Sequence, residues 1–299
     1  VISQAVISNI GGTATLIGDP PNIIIGSKVG LTFNAFILHL TLTVVVCFGV
    51  GLFYLWFTNR EKFRPIDTDL TKLFGVQLLL EKIRNEFLTT KIDRVFLTKG
   101  LSCLALAILL FITQTVTGMS PGVVALAVAM LLIMITKVDV EHLMEEIEWT
   151  TLLFFTGLFI LVGVLEEKHV LEWIAENVFL RVGDNPYVIV LMVLWVSGIV
   201  SGFLDNIPFT ITMIPIVKLM LESTPIPNDI LWWALSLGAC LGGNLTMIGA
   251  SANIVSVGIA KRHHVDISFL DFMKLSVVIT LITLVISSIF LTVFLWVSL

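Results

Sequence analysis

Charge is scarce in this sequence. Only 13% of its 299 residues are Asp, Glu, Lys or Arg, against 57% hydrophobic. A soluble domain covers its surface with roughly twice that charge density. Four stretches carry no charge at all: Thr32–Phe57, Gly100–Thr136, Ile230–Ala260 and Leu275–Leu299. Each is long enough to cross a bilayer, which takes about 20 apolar residues. Gly100–Thr136 is too long for one crossing, and Ser120-Pro121-Gly122 supplies a turn that divides it. A water-soluble domain is excluded, and the lipid bilayer is the expected surrounding.

Cysteine is scarce too. Cys47, Cys103 and Cys240 lie far apart in apolar runs. That spacing forms no zinc pattern and no disulfide framework, which leaves them as small core residues. His263-His264 has no carboxylate or cysteine partner to make a metal set, and no metal-binding residues are assigned. The sequence also lacks an initiating Met and a signal-peptide layout. Starting mid-run at Val1, it reads as a fragment whose N-terminal membrane segments are absent.

The charges that are present fix a topology. Nine of the seventeen basic residues fall between Arg60 and Lys99, so the polar linker 58–95 is expected on the cytoplasmic side. Around it the chain reads as a broken membrane helix (Val1–Lys28) and crossings at Phe33–Phe57, Phe96–Thr117, Pro121–Thr136 and Trp149–Leu165. An acidic surface stretch, Asp139–Glu148, precedes the last of these. Glu166–Asp184 has apolar residues at helical spacing, which suits an interfacial helix. Pro186–Leu204 and Ile207–Leu221 flank Asp205-Asn206, a second broken helix spans Ile230–Ala260, and Leu275–Leu299 crosses last. Residues 1–57 read as the end of a first repeat and 96–299 as a second.

The repeat carries the most information. Ile10-Gly11-Gly12-Thr13-Ala14-Thr15-Leu16-Ile17-Gly18-Asp19-Pro20-Pro21-Asn22-Ile23 aligns without gaps on Leu241-Gly242-Gly243-Asn244-Leu245-Thr246-Met247-Ile248-Gly249-Ala250-Ser251-Ala252-Asn253-Ile254. With the linker inside, the first copy runs inside to outside. Counting crossings, the second runs outside to inside and ends at Lys261-Arg262, where basic residues belong. Inverted repeats with interrupted helices mark secondary transporters.

Gly-Gly and Gly-Asp-Pro-Pro are poor helix formers. In lipid such backbone must be buried in protein or line a cavity. Half-helices meeting at a break aim their freed N–H and C=O groups at one spot. Candidate ion- or solute-binding residues are therefore Gly11, Gly12, Thr13, Thr15 and Asn22, with Asn244, Thr246, Ser251 and Asn253 in the second copy. Asp19 has two readings, a cap on the half-helix that follows or an ion-binding group. Asp205-Asn206 fits the tip of a re-entrant hairpin. An ionisable residue at membrane depth is a functional candidate because burying it is expensive, so Asp205 could neutralise a cation or carry a proton. His39 reads as packing, and Glu166-Glu167-Lys168-His169 as a solvated face. Gly18-Asp19 matches a dipeptide of intramembrane aspartyl proteases, but Pro20-Pro21 follows and the Tyr-Asp partner is missing. The chain is not read as an enzyme.

At Ser8-Asn9-Ile10-Gly11-Gly12 through Asn22, Leu204-Asp205-Asn206-Ile207-Pro208-Phe209-Thr210 and Gly238-Ala239-Cys240 through Asn253, the chain resembles the ion transporter superfamily. That superfamily holds arsenite permeases, sodium/proton antiporters and citrate or dicarboxylate carriers. Within it the likeness is to the P protein branch, and Trp149-Thr150-Thr151-Leu152-Leu153-Phe154-Phe155 shares it. The resemblance implies an all-α polytopic, inverted-repeat secondary transporter with two unwound membrane helices and two re-entrant hairpins, the first expected upstream of Val1. It also implies a homodimer working by elevator-type alternating access. Family positions map onto Gly11–Asn22, Asp205, Asn206, Thr210 and Gly242–Asn253, and Asn9, in the first matching stretch, is a further candidate ion- or solute-binding residue. The carboxylate carriers have a Ser-Asn-Thr tip, whereas this chain has Asp205-Asn206-Ile207-Pro208. A negative tip repels a carboxylate, which argues against citrate and for a cation-coupled or pH-regulating role.

The expected activity is thus secondary active ion transport, coupled to a cation or proton. The alternative is a passive, channel-like chloride conductance that regulates organelle or cell pH. The expected partner is a small ion or solute, with no nucleic acid. No cofactor is called for beyond bound Na+ or H+, and the expected location is a plasma or organelle membrane.

Overall fold

The computed structural model describes residues 1–60, 76–77, 80–81, 84, 93–145, 147, 149–174, 177, 185–224, 226 and 229–298. Most of the linker 58–95, and the interfacial stretch beyond 174 apart from residue 177, lie outside the described residues. The described residues form helices: α1 Ile2–Gly12, α2 Pro20–Val29, α3 Phe33–Asn59, α4 Arg94–Ile112, α5 Gln114–Thr117, α6 Pro121–Thr136, α7 Val140–Glu145, α8 Trp149–Glu167, α9 Val170–Ile174, α10 Pro186–Phe203, α11 Asn206–Ser223, α12 Ile230–Gly242, α13 Ser251–Arg262 and α14 Phe269–Ser298. Among them α3, α4, α10 and α14 are long and apolar enough to cross a membrane, and α6 and α12 are shorter apolar helices.

Local chemistry sets the boundaries. Asn185 Oδ1 accepts from Tyr187 N at 3.0 Å, and Pro186 opens α10, where a missing N–H costs nothing. Asp93 caps α4 through Val95 N and Phe96 N at 2.9 and 3.2 Å. Helix α2 ends at Gly30 and α5 at Gly118, both in the left-handed region, which glycine enters without a Cβ clash.

The chain forms two compact units, Leu55–Ile147 and the remainder. In the smaller, α4 and α6 form a hairpin, and Lys99 Nζ donates to Ile135 O at 2.7 Å, joining the start of one helix to the end of the other. In the larger unit α12 is the centre. Every residue from Ile230 to Gly242 is buried, and α12 packs on α1, α2, α10, α11 and α14. Its contact with α10 is close because it is made by small residues. A Cβ on Gly242 would collide with the Gly198 carbonyl, and one on Gly238 would lie 2.6 Å from Leu194 O. Small residues let backbones approach where lipid gives no hydrophobic drive to associate.

Two packing relations position the site. Helix α1 lies on α13, and α2 lies on α12. The first half of each broken helix therefore meets the second half of the other. The outer surfaces are apolar: Leu38, Leu42 and Phe53 on α3, Leu126 and Met130 on α6, and Ile289 and Trp296 on α14 are all exposed. Apolar surface on this scale is a lipid-facing surface.

Candidate functional site

Both breaks follow one backbone path. Helices α1 and α12 close at Thr13 (φ −59°, ψ −23°) and Gly243 (φ −54°, ψ −19°). Helices α2 and α13 open from extended residues, Asp19 (φ −142°, ψ 137°) and Ala250 (φ −149°, ψ 143°). Within each break the chain crosses itself glycine on glycine. A Cβ on Gly12 would sit 2.5 Å from Gly18 O, and one on Gly243 2.9 Å from Gly249 O. That crossing accounts for the second and third glycines of the shared skeleton, Gly12 with Gly18 and Gly243 with Gly249.

Matching asparagines tie each loop. Asn22 Nδ2 donates to Thr13 O and Thr15 O at 3.1 and 3.0 Å. Asn253 Nδ2 donates to Gly243 O and Thr246 O at 2.9 and 3.0 Å. Both asparagines are fully buried. Each satisfies loop carbonyls that the interrupted helix cannot, as buried backbone requires.

A second set of bonds joins the two breaks. Asn9 Nδ2 donates to Asn244 Oδ1 at 2.8 Å and Asn253 Oδ1 at 2.9 Å. Asn244 Nδ2 returns to Val6 O at 3.3 Å. Asn9 aligns with Cys240, whose Sγ donates to Asn22 Oδ1 at 3.4 Å, beside a bond from Ser236 Oγ at 2.6 Å. The contacts are reciprocal: α1 holds the asparagine of α13, and α12 holds the asparagine of α2.

The turn between α10 and α11 completes the cluster. Asn206 N donates to Gly249 O at 3.2 Å, and its Nδ2 approaches Asp19 Oδ1 at 3.5 Å. One residue thereby touches both breaks. Thr210 Oγ1 bonds back to Asn206 O at 2.7 Å, and Thr246 Oγ1 donates to Gly202 O. The two aspartates differ. Asp205 is half-buried, and its Oδ1 accepts from Ile207 N at 3.0 Å, capping α11. Asp19 is buried and makes no cap bond from its side chain, and its Oδ2 has no partner among the described residues.

Of the residues singled out in the sequence, Asn9, Gly12, Thr13, Thr15, Asp19, Asn22, Asp205, Asn206, Thr210, Asn244, Thr246 and Asn253 are gathered here. Gly11 and Ser251 are exposed and stand apart. Ser236 and Cys240 belong to the cluster although their setting reads as apolar. Their only signal is spacing, since i and i+4 share one helix face. His39 stacks on Trp233 with ring centroids 4.7 Å apart. Among the described residues no group of three or more His, Cys, Asp or Glu is arranged to hold a metal ion. Beside the cluster, a cavity of about 480 Å³ opens between α2, α8 and α11, with Lys28, Lys218 and Glu166 among its lining residues.

The fold is that of a multi-pass α-helical membrane protein. The chain belongs to the citrate transporter family, whose model matches residues 1–238. It is 39% identical over 295 residues to a 46 kDa membrane protein of Mycobacterium leprae and 40% identical to an uncharacterised transporter of Mycobacterium tuberculosis, covering 97% of this chain in both cases. It is 34% identical to the P protein of Sus scrofa over 92% of this chain. The chain spans 66% of the length of those mycobacterial relatives and 41% of that P protein.

Proposed function

We propose that this chain forms the site-bearing part of a secondary active ion transporter, coupled to a cation or proton and working by elevator-type alternating access. The observation that carries the reading is the reciprocal contact between the breaks, with α1 on α13 and α2 on α12. Two parallel copies would pair like halves only. Here α1 touches α12 as well as α13, but α2 and α13 each lie on a first half of the other copy. The swapped pairing supports an antiparallel, inverted repeat. The α10–α11 turn then serves as the tip of a re-entrant hairpin, and Asn206 brings it to both breaks at once. Such a core, bonded throughout by asparagines, suits displacement as one body. Its loop carbonyls and short polar side chains suit a small ion, as in transporters whose site lies at broken helices. Relatives named as transporters support the coarse class.

Flux through the full-length protein in liposomes tests the reading. Uptake that accumulates an ion against its gradient, driven by sodium or protons, is the expected result. Current that follows the membrane potential alone, with no accumulation, would replace the carrier by the chloride-conducting alternative.

A further inference from the structure

The sequence of α2 opens Asp19-Pro20-Pro21-Asn22. An aspartate in that position ordinarily accepts from the N–H of the second or third helical residue. Here the second is Pro21, which has no N–H. The third, Asn22, gives its N–H to the Asp19 main-chain carbonyl at 3.0 Å. The prolines thus leave the carboxylate without the donors that would make it a cap. The equivalent residue in the second copy is Ala250, followed by Ser251-Ala252, so the shared backbone forms without a carboxylate. Asp19 is not needed to build its own loop.

It is nevertheless buried, at 7% exposure, with Oδ1 3.5 Å from Asn206 Nδ2 and Oδ2 without a partner. Its titratable neighbours are Asp205, from the α10–α11 turn, and the Cys240 thiol, from α12. No cationic side chain is among them in the described residues. A buried carboxylate with no countercharge takes up a positive charge from outside the protein or is strongly destabilising. The surroundings favour one kind. A sodium ion seeks several oxygens, whereas the side chains that approach the Asp19 carboxylate are the Asn206 amide nitrogen and the Cys240 thiol, whose hydrogen already goes to Asn22 Oδ1. One hydrogen on Oδ2 removes the buried charge without a countercharge from the protein.

We propose that Asp19, rather than Asp205, is the residue that takes up and releases the coupling proton. The step is a simple exchange: a proton from the solution on one side forms an O–H bond at Oδ2, the neutral site crosses, and the proton returns to solution on the other. This deepens the carrier reading and rests on it.

The test uses the full-length protein in lipid nanodiscs and pH-difference infrared spectroscopy, which reads the C=O stretch of a protonated carboxylic acid directly. A titrating band is expected in the wild type and in D205N, lost in D19N and moved in D19E. D19E serves as the second variant where D19N does not fold. A band that survives D19N or stays unmoved in D19E overturns the proposal, as does a band lost in D205N instead. So does sodium chloride raising the thermal midpoint over potassium chloride in the wild type and not in D19N, because Asp19 then takes sodium. The carrier reading fails separately. In liposomes with an entrapped pH dye, no wild-type pH change after sodium chloride or sodium citrate pulses would overturn proton-coupled transport of these probes, whatever the infrared band does.

Discussion

Asn9 donates to two other asparagines at once, and no neighbour can replace both bonds. Asn9→Ala leaves Asn244 Oδ1 and Asn253 Oδ1 without that donor in the buried core. An orphaned acceptor costs about 1–3 kcal/mol, and the membrane context moderates such losses. We expect a clear fall in the thermal midpoint of the detergent-solubilised full-length protein. Ser236→Ala should cost less, about 0.5–1.5 kcal/mol, because Cys240 still reaches Asn22. Asp205 caps α11. Asp205→Ala removes the cap of α11 and should cost about 1 kcal/mol. Asp205→Asn keeps an accepting oxygen and should leave the thermal midpoint near wild type. These assignments were only partly legible in the sequence. The repeat points straight at Asn22 and Asn253, because polar residues that recur at matched positions need a shared reason. Ser236 and Cys240 stay hidden, since a hydroxyl or thiol in an apolar helix usually bonds to its own backbone or packs as a small residue.

Among the elements, the seam between α10 and α12 tolerates least. Gly242→Ala places a methyl group on the Gly198 carbonyl and near Ser201 Oγ. The helices must part, at a cost of about 1–3 kcal/mol. Gly100, in α4, has open space where a Cβ would go, and Gly100→Ala should stabilise by about 0.5–1 kcal/mol. Fluorescence-detected size exclusion after heating checks both, with opposite signs expected. The helices themselves were readable in outline, because uncharged runs and Pro or Gly boundaries have local causes. Helix α14 begins at Phe269, ahead of the uncharged run at Leu275, since Asp271 and Lys274 pair with each other at 2.8 Å on its exposed first turns. The pairing of α1 with α13 depends on tertiary contact, which no local pattern encodes.

For the whole molecule, the inverted arrangement makes a prediction independent of transport. The broken helices end in Lys28 and in Lys261-Arg262. If the copies are antiparallel, Lys28→Cys and Lys261→Cys label from opposite sides of a sealed membrane with an impermeant maleimide, Lys28 from outside and Lys261 from the cytoplasm. Labelling of both from one side would remove the inverted repeat and the alternating-access argument with it. Helix direction follows from charge placement, but a repeat that folds back on its own copy has to be seen in three dimensions.

The mismatch of Asp19 with Ala250 has a consequence for direction. A carrier built from two identical halves has no preferred way round, and its inward- and outward-facing forms are equal in energy. Here the two broken helices share their loops, their glycine crossings and their asparagine ties, yet only the first carries an acid in its break. In the proposed carrier the two facing states would then differ in free energy, and their balance would move with the proton concentration on each side. An acid where its twin is alanine would thus give such a carrier a resting orientation that depends on pH.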